Sequence, residues 1–289
     1  MKSNYKITNL KNIDNDLVEY EMLNSDFIIT NRGKVRDAIS FFGESKFGGL
    51  EILEINNDIR KSLQDRKVEN KTTKVSIDIS LIDRKTLADI FSTIAQMATD
   101  HEYEIKIIYA LAKYSEPSGQ VHPNNTVKPV SHFFSGWSNS PGLPVLSIVG
   151  LGYEKDKALG AIEFLESSEA FLYVPKSFEE RYYSSVLEEN SRLLSFFGEK
   201  YQFIYHLESP IDAIYSLDSV ISANKNKFKI VLLPFGPKIF YASSLLSSFA
   251  HPEVSVWSVS GESEDNDSSQ DREVTGLLGF SFKIHGNVI

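Results

Sequence analysis

Two short segments place glycine and lysine where an apolar run passes into a helical pattern. Gly150 and Gly152 follow one such run, and Gly236 and Lys238 follow another. The first N–H groups of a helix have no intrahelical partner and lie at the positive end of its dipole, while glycine lets a ligand approach the backbone. Both segments are therefore predicted to bind an anion, and a phosphate-bearing small ligand suits them best.

The first segment resembles the start of a dinucleotide-binding fingerprint without completing it. Lys155 stands where the third glycine of that spacing belongs, and no acidic residue is placed to hold a ribose at the end of the next predicted strand. The pattern therefore predicts no nicotinamide or flavin cofactor. A plain turn at the end of a strand explains Gly150 and Gly152 equally well, because glycine adopts turn conformations readily.

The second segment, residues 234–238, is the stronger anion-site candidate. Pro237 presets the first helical turn and has no N–H to leave unpaired, Gly236 permits close approach, and Lys238 adds a positive charge near the helix start. The segment is not a Walker loop, because the Gly-Lys-Ser/Thr pattern and its spacer are absent. Residues 31–34, which include Arg32 and Lys34, form a weaker version of the same arrangement.

Catalytic patterns are sparse. The chain has neither a Gly-x-Ser-x-Gly elbow nor a His-Glu-x-x-His helix, its histidines lack metal-ligand spacing, and it has no cysteine, so the sequence predicts no metal site. An enzyme would have to take its acid or base from residues such as Asp78, Glu154 or His132. The triplet of residues 104–106, acidic-x-Lys as in some nucleases, is common enough to arise by chance.

Composition excludes several classes of protein. The chain has 289 residues, a net charge of −9 and a pI near 5.3, so binding to extended nucleic acid is not expected. It shows no apolar leader and no apolar run approaching the ~20 residues that cross a bilayer. We expect a protein of the cytoplasm, with no membrane association, whose partners are small ligands and other proteins.

Hydrophobic periodicity alternates between strand and helix along most of the chain. This alternation predicts an α/β fold: a Rossmann-like, mostly parallel, doubly wound sheet with helices on both faces. Residues 274–284 alternate as an antiparallel strand at the C-terminal edge. A polar stretch suggests a small N-terminal α/β unit over 1–73, separate from or continuous with the main sheet, and a Rossmann-like domain over 74–289. Residues 17–30 are predicted to be extended, and 177–197 to form one helix.

Two irregular stretches interrupt this alternation. Residues 115–142 are rich in proline and glycine and contain aromatic side chains such as Phe133 and Trp137, so they form either a lid or partner surface or a loop attached to the body. Residues 261–273 are acidic and serine-rich, which is typical of a mobile solvated loop.

The succession of strand, Gly236-Pro237-Lys238 and helix, following earlier strand-loop-helix units, resembles the ligand-sensing Rossmann domains of bacterial antiviral systems, the CRISPR-associated Rossmann fold and its relatives. The resemblance covers residues 74–259 by topology. It implies that a loop with Gly236 and Lys238 helps to hold a cyclic or linear oligonucleotide, often across a homodimer. The chain carries no recognisable fused nuclease, protease or DNA-binding module, so the resemblance implies a separate effector protein.

Three functions remain open from the sequence. The first is a regulatory protein that binds a nucleotide or oligonucleotide signal through Gly150, Gly152, Gly236 and Lys238, with a role in bacterial antiviral defence. The second is an enzyme acting on a nucleotide or sugar phosphate, with the phosphate held by the same loops. The third is an interaction subunit of a larger complex that uses the aromatic stretch 115–142.

Overall fold

A computed structural model describes residues 5–33, 35–55, 59–66, 71–117, 126–136, 142–260 and 272–286. The chain divides into two compact units, which we call unit 1 (Met1–Lys113 with Asp267–Ile289) and unit 2 (Tyr114–Asn266). Each unit contains one mixed sheet of six strands. The prediction of an α/β fold with mostly parallel strands is confirmed. The division between the units lies elsewhere than the boundary expected after residue 73.

Helices and strands alternate along most of the chain. The strands are β1 (Tyr5–Ile13), β2 (Phe27–Thr30), β3 (Glu51–Glu54), β4 (Thr73–Asp78), β5 (Tyr103–Ala112), β6 (Thr126–Pro129), β7 (Val145–Gly150), β8 (Glu169–Lys176), β9 (Gln202–His206), β10 (Lys229–Pro234), β11 (Ser255–Ser260) and β12 (Val274–Gly286). The α-helices are α1 (Asn15–Leu23), α2 (Ala38–Phe42), α3 (Ile59–Gln64), α4 (Arg84–Met97), α5 (Lys157–Phe164), α6 (Glu180–Glu189), α7 (Ser191–Phe197), α8 (Pro210–Asn224) and α9 (Lys238–Ala250).

The sheet of unit 1 has the strand order β1-β12-β5-β4-β2-β3. Strands β5, β4, β2 and β3 are parallel, and β12 is antiparallel to both β1 and β5. The prediction that the C-terminal strand lies at the edge of the sheet is therefore wrong, although its antiparallel direction is right. A Cβ on Gly279 would lie 2.1 Å from the carbonyl oxygen of Ile107. This close fit holds β12 against β5. Strand β1 pairs with the other side of β12 and is therefore the edge strand, a pairing that no local pattern in the sequence reveals.

Residues 17–30 are not one extended segment, because they begin within helix α1. Val18 and Met22, four residues apart, are its buried face and pack into a core with Ile28 and Ile108. The buried ammonium of Lys106, on β5, donates to the carbonyl oxygens of Glu21 (2.6 Å) and Asn24 (3.1 Å) at the end of the helix. Lys106 thus satisfies orphan carbonyls of α1, and the triplet 104–106 has a structural explanation.

The sheet of unit 2 has the strand order β6-β11-β10-β7-β8-β9. Its five strands from β7 to β11 are parallel, and β6 pairs antiparallel with β11. Helices cover both faces: α5, α6 and α7 pack against Leu172 and Val174, whereas Tyr173 points the other way to Ser216 of α8 and Phe240 of α9. None of the helices in the described ranges is long and apolar enough to span a membrane.

The single helix expected over 177–197 is interrupted in the structure. Helix α6 ends at Glu189 and α7 begins at Ser191, with Asn190 between them at φ −107° and ψ 12°. Asn190 is buried, and its amide donates to Val186 O (2.9 Å) and to Gly152 O (2.8 Å) on another loop. The break follows from this tertiary hydrogen bond, which the helical periodicity of the segment does not report.

Candidate functional site

The strand order of unit 2 reverses between β7 and β10. The chain adds β8 and β9 on one side of β7 and then crosses to place β10 on the other side. In parallel sheets, ligands bind beyond the carboxyl ends of the strands at such a reversal, the topological switch point. Gly150 is level with Pro234 in the β7–β10 register. The two glycine segments singled out by the sequence are therefore neighbours.

These two segments contact each other through their backbones. A Cβ on Gly236 would lie 2.2 Å from Leu151 O, and one on Gly152 would lie 2.5 Å from the Cα of Gly236. Gly236 also has φ +70°, a conformation that residues with a Cβ rarely adopt. Close packing of loop on loop is thus sufficient to require glycine at positions 152 and 236.

Gly150 makes room for an aromatic ring on the face of the sheet that α9 covers. A Cβ there would lie 2.4 Å from the ring of Phe240, in the first turn of α9. That ring also packs against Tyr173 and Tyr205, with centroid distances of 5.3 and 4.8 Å. Gly150 therefore leaves the space that the Phe240 ring occupies, so α9 packs closely against the strands.

The helices that follow the two segments begin at different distances from the glycines. Helix α9 begins at Lys238, directly after Pro237, and no side chain of Pro237 caps it. Helix α5 begins only at Lys157, after Asp156 at φ +57°, so four residues separate it from Gly152. The anion-site prediction, which needs a helix N-terminus beside the glycine, therefore fits Gly236 and Lys238 better than Gly150 and Gly152.

Two polar residues, Lys238 and Glu154, follow the two glycine segments. Lys238 is only 7% exposed. A Cβ on Gly152 would lie 2.3 Å from Oε2 of Glu154, so this carboxylate lies against the contact between the loops. Its Oε2 is buried and has no hydrogen-bond partner among the described residues. The site thus combines a buried cation on α9 with a carboxylate oxygen that can still accept a hydrogen bond.

Unit 1 has a second switch point, between β2 and β4, and it is lined by charge. Asp78, at the end of β4, is buried, and its Oδ2 accepts the N–H of Ala38 at 2.6 Å. Its Oδ1 accepts the N–H of Ser80 at 3.0 Å and the Ser80 hydroxyl, whose oxygen accepts the N–H of Ala110 at 2.7 Å. Burial raises the pKa of Asp78 above its ordinary value of 3.8, and these donors oppose that shift.

The loop after β2 supplies the remaining charges of this second switch point. The buried guanidinium of Arg36 donates to Tyr109 Oη at 3.1 Å and to the carbonyl of Ala110 at 3.3 Å. Buried Asp37 caps α2 by accepting the N–H of Ser40 at 2.9 Å, and it lies 3.9 Å from Nε of Arg32. The carboxylates and guanidinium here bind groups of their own chain, so their evident role is to join β2, β4, β5 and α2.

Residue types and spacing in the sequence pointed to Asp78 and Arg32 but not to Arg36, Asp37 and Asn190. The signal for Arg36 and Asp37 was a charged pair placed directly before an apolar helix, and for Asn190 a lone amide inside an apolar helical pattern. Lys34 lies outside the described residues. Of the three acid–base candidates, Asp78 belongs to unit 1, whereas Glu154 and exposed His132 belong to unit 2.

The aromatic stretch 115–142 is attached to unit 2 wherever the structure describes it. Its residues 126–129 form β6, and buried Phe134 stacks on Phe249 of α9 with a centroid distance of 6.0 Å. Phe133 packs edge-on against the same ring. Trp137 and the acidic segment 261–271 lie outside the described residues, so the interaction surface and the mobile loop remain predictions.

Within the described ranges, no three His, Asp or Glu side chains come together as metal ligands do. Comparison with models of known protein families gives no match. Comparison with curated protein sequences gives none either.

Proposed function

We propose that unit 2 is a Rossmann-like domain that binds a nucleotide or oligonucleotide signal at the switch point between β7 and β10, and that the protein is regulatory. The observation that supports this most is topological. Counted from β7, the parallel strands have the order 3-2-1-4-5, which is the order around the switch point of doubly wound nucleotide-binding sheets. Both glycine segments of the sequence end at this point.

The phosphate would lie at the start of α9, where the helix dipole is positive and Lys238 supplies a full charge. The backbone-to-backbone contact of Gly236 with residues 151–152 holds this turn in place, so little ordering is needed on binding. Gly150 and Gly152 would act indirectly, by seating α9 and its loop.

Glu154 favours a nucleotide over a bare phosphate. A carboxylate beside a phosphate site repels the anion, but its unpartnered Oε2 suits the hydroxyl of a ribose or the amino group of a base. A ligand that carries both a phosphate and such donors would place its phosphate at the start of α9 and give Oε2 of Glu154 a hydrogen-bond partner. The resemblance to antiviral sensors would make the protein a cytoplasmic sensing component that acts on a separate effector.

The proposal is tested by thermal-shift titrations with ATP, a cyclic triadenylate and glucose 6-phosphate. A ligand at a hundredfold excess over its dissociation constant stabilises the folded chain by about 2.7 kcal/mol, which is readily detected. We expect stabilisation by ATP or the cyclic triadenylate. Conversion of any probe to product, followed by chromatography, would instead favour the enzyme acting on a nucleotide or sugar phosphate.

Two variants locate the site. Lys238→Met is expected to weaken the dissociation constant of the stabilising probe at least about tenfold, since a charge-assisted hydrogen bond contributes roughly 1.5–3 kcal/mol. Lys155→Met, which removes an exposed lysine from the loop before α5, is the matched control and should leave affinity unchanged. Equal effects of the two substitutions, or no stabilisation by any of the three probes, would contradict the proposed site.

A further inference from the structure

Two carboxylates flank the imidazole of His251, which is 6% exposed and directly follows the last residue of α9. Its Nε2 is 2.7 Å from Oδ1 of Asp218 on α8, and its Nδ1 is 3.7 Å from Oε1 of Glu253 in the turn before β11. Lys225, which follows the last residue of α8, lies 3.2 Å from the same Glu253 oxygen. These four side chains connect the ends of two helices with the start of a strand.

A neutral imidazole cannot satisfy both carboxylates. It carries one N–H and one lone pair, and only the N–H can donate. If Nε2 carries the proton, the lone pair of Nδ1 faces Glu253, and if Nδ1 carries it, the lone pair of Nε2 faces Asp218. Nδ1 of His251 and Oε1 of Glu253 are both buried, and neither has a hydrogen-bond partner among the described residues. The imidazolium, with an N–H at each nitrogen, is the form that suits both carboxylates.

The charges around His251 favour this protonated form. Among the described residues, Asp218, Glu253 and Lys225 are the charged groups that act on the ring. Burial lowers the pKa of His251 and Lys225 lowers it further, but the two carboxylates raise it by more, so that the pKa lies above its ordinary value of 6.5. The negative end of the α9 dipole lies beside the ring and acts in the same direction. The ring therefore loses its proton above pH 6.5.

The segment that follows β6 packs against the same turn. A Cβ on Gly136 would lie 2.9 Å from the carbonyl oxygen of Glu253. In the same segment, Phe134 stacks on Phe249, two residues before His251. A change in how the turn is held by His251 would therefore reach this segment.

We propose that His251 is a pH switch: its imidazolium, held between Asp218 and Glu253, joins the ends of α8 and α9 to the turn before β11, and loss of the proton loosens the turn and the segment after β6. The pKa of His251 is raised in the folded state, so its contribution to stability is complete below pH 6.5 and is lost as pH rises through the folded pKa. A charge change at one histidine can bias such a local opening. The switch goes beyond the proposed ligand site, because Lys238 and His251 stand at opposite ends of α9.

Nuclear magnetic resonance of the chain labelled with ¹⁵N at its histidines tests the protonation state. In the unmodified chain, both ring nitrogens of His251 should be mostly protonated at pH 6, and the signal is assigned by its loss in His251→Gln. Asp218→Asn should lower the pKa of His251, because a neutral amide does not favour the imidazolium. Asp212→Asn, in the first turn of α8, is the matched control and should leave it unchanged. A neutral ring at pH 6, or the same pKa in both variants, would overturn the proposal.

Tryptophan fluorescence in urea measures how far this proton stabilises unit 2, to which both tryptophans belong. Between pH 6 and 8.5, the unfolding equilibrium constant of the unmodified chain should rise about two- to fivefold more than that of His251→Gln, as expected for a partly solvated ion pair. His206→Gln, which replaces an exposed histidine of β9, is the control and should behave as the unmodified chain does. The same pH dependence in His251→Gln would count against the switch.

Hydrogen exchange locates the loosening. The amides of Phe134 and Ser135 donate to Ser131 O and His132 O, so their exchange reports opening of the segment after β6. At pH 6 they should exchange about two- to fivefold faster in His251→Gln than in the unmodified chain. Comparison at one pH removes the intrinsic pH dependence of exchange, and the amides of α4 in unit 1 should not change. Equal exchange of this segment in the two chains would show that the switch does not act on it and would overturn the proposal.

Discussion

The loops at the two switch points of this chain are held together by different kinds of contact. In unit 1, buried charged side chains join the loops that follow β2 and β4. Asp78 and Asp37 accept backbone N–H groups, and Arg36 donates to Ala110 O and to Tyr109. In unit 2, the loops that follow β7 and β10 pack backbone against backbone, with Gly152 against Gly236. Both arrangements hold loops together at the carboxyl ends of parallel strands.

The difference bears on which switch point remains able to bind a ligand. In unit 1, the carboxylate of Asp78 already accepts hydrogen bonds from the backbone N–H of Ala38 and from both donors of Ser80. An external anion would have to displace this carboxylate to reach those donors. In unit 2, Oε2 of Glu154 remains without a hydrogen-bond partner among the described residues. In unit 1, the buried Nε of Arg32 likewise has no hydrogen-bond partner among the described residues, but it lies 3.9 Å from Oδ1 of buried Asp37, so a carboxylate of the chain already opposes its charge.

The largest expected effect comes from breaking the glycine contact of unit 2. Gly236→Ala adds a Cβ 2.2 Å from Leu151 O at a residue with φ +70°. Left-handed strain and overpacking each cost roughly 1–3 kcal/mol, so the free energy of unfolding should fall by about 4 kcal/mol. Urea denaturation followed by tryptophan fluorescence measures it, because both tryptophans, Trp137 and Trp257, belong to unit 2.

Gly198→Ala is the matched control for that variant. Gly198 has φ +75°, but nothing lies within 4 Å of the position of its Cβ. It should lose only the conformational part, roughly 1–3 kcal/mol, because its ψ of 169° places it in a region that glycine alone adopts readily. If the two substitutions are equally destabilising, the contact between the loops contributes nothing beyond backbone conformation, and the contrast drawn with unit 1 fails.

Removing the charge that fills the switch point of unit 1 should have the next largest effect. Asp78→Ala deprives the N–H of Ala38 and two donors of Ser80 of their common acceptor in a buried place. Buried unsatisfied donors cost about 1–3 kcal/mol each, and relaxation recovers part of this, so we expect a loss of about 3 kcal/mol. Far-UV circular dichroism in urea reports it.

The exposed Asp83 is the control for Asp78. Asp83 accepts the N–H of Thr86 at 2.9 Å as the N-cap of α4, and Asp83→Ala should cost about 1 kcal/mol. Because each unit has its own sheet, tryptophan fluorescence should report less of the Asp78→Ala effect than circular dichroism does. An Asp78→Ala loss no greater than that of Asp83→Ala would show that the buried charge is not what joins these strands.

The smallest effect is expected from acid, which should act with opposite sign at Asp78 of unit 1 and at Glu253 of unit 2. In unit 1, the pKa of Asp78 is raised above 3.8, so the folded state binds a proton first and gains stability from this site as pH falls. In unit 2, the imidazole of His251 holds the pKa of Glu253 at about 2, against the effect of burial. The contribution of Glu253 is complete above about pH 4.5 and is lost as pH falls through about 2.

The Glu253 cluster lies where α8 and α9 end. His251 Nε2 is 2.7 Å from Asp218 Oδ1, and Glu253 Oε1 is 3.7 Å from His251 Nδ1 and 3.2 Å from Lys225 Nζ. Glu253→Gln should flatten the dependence of unit 2 stability on pH between about 4.5 and 2, a change below about 1 kcal/mol because these groups are partly solvated. Unchanged pH dependence by tryptophan fluorescence would contradict this assignment.

Local patterns predicted the elements of the fold more reliably than their breaks. Leu87, Ile90 and Ile94 recur at three- and four-residue steps, and in the structure they belong to the buried face of α4. The expected extended segment 17–30 was wrong, because α1 has a weakly amphipathic sequence and its end is held by Lys106 from a distant strand. A helix held by long-range contacts leaves little trace in its own periodicity.

The candidate site was predicted in part for a reason that differs from the observed one. The sequence marked Gly150, Gly152 and Gly236 because glycine at the end of a strand admits a ligand. In the structure, these positions lack a Cβ because Phe240 and the opposite loop occupy that space. Lys238 and the start of α9 are the part of the prediction that the geometry still supports.

The sequence by itself determined that this is an α/β protein, and it predicted which loops could bind an anion. These properties depend on periodicity and turn chemistry within short windows. Only the tertiary structure decided that there are two sheets, that β12 is enclosed by β1 and β5, and that the glycine loops share one switch point. Strand order depends on which distant elements bury one another, and that free energy is a property of the whole chain.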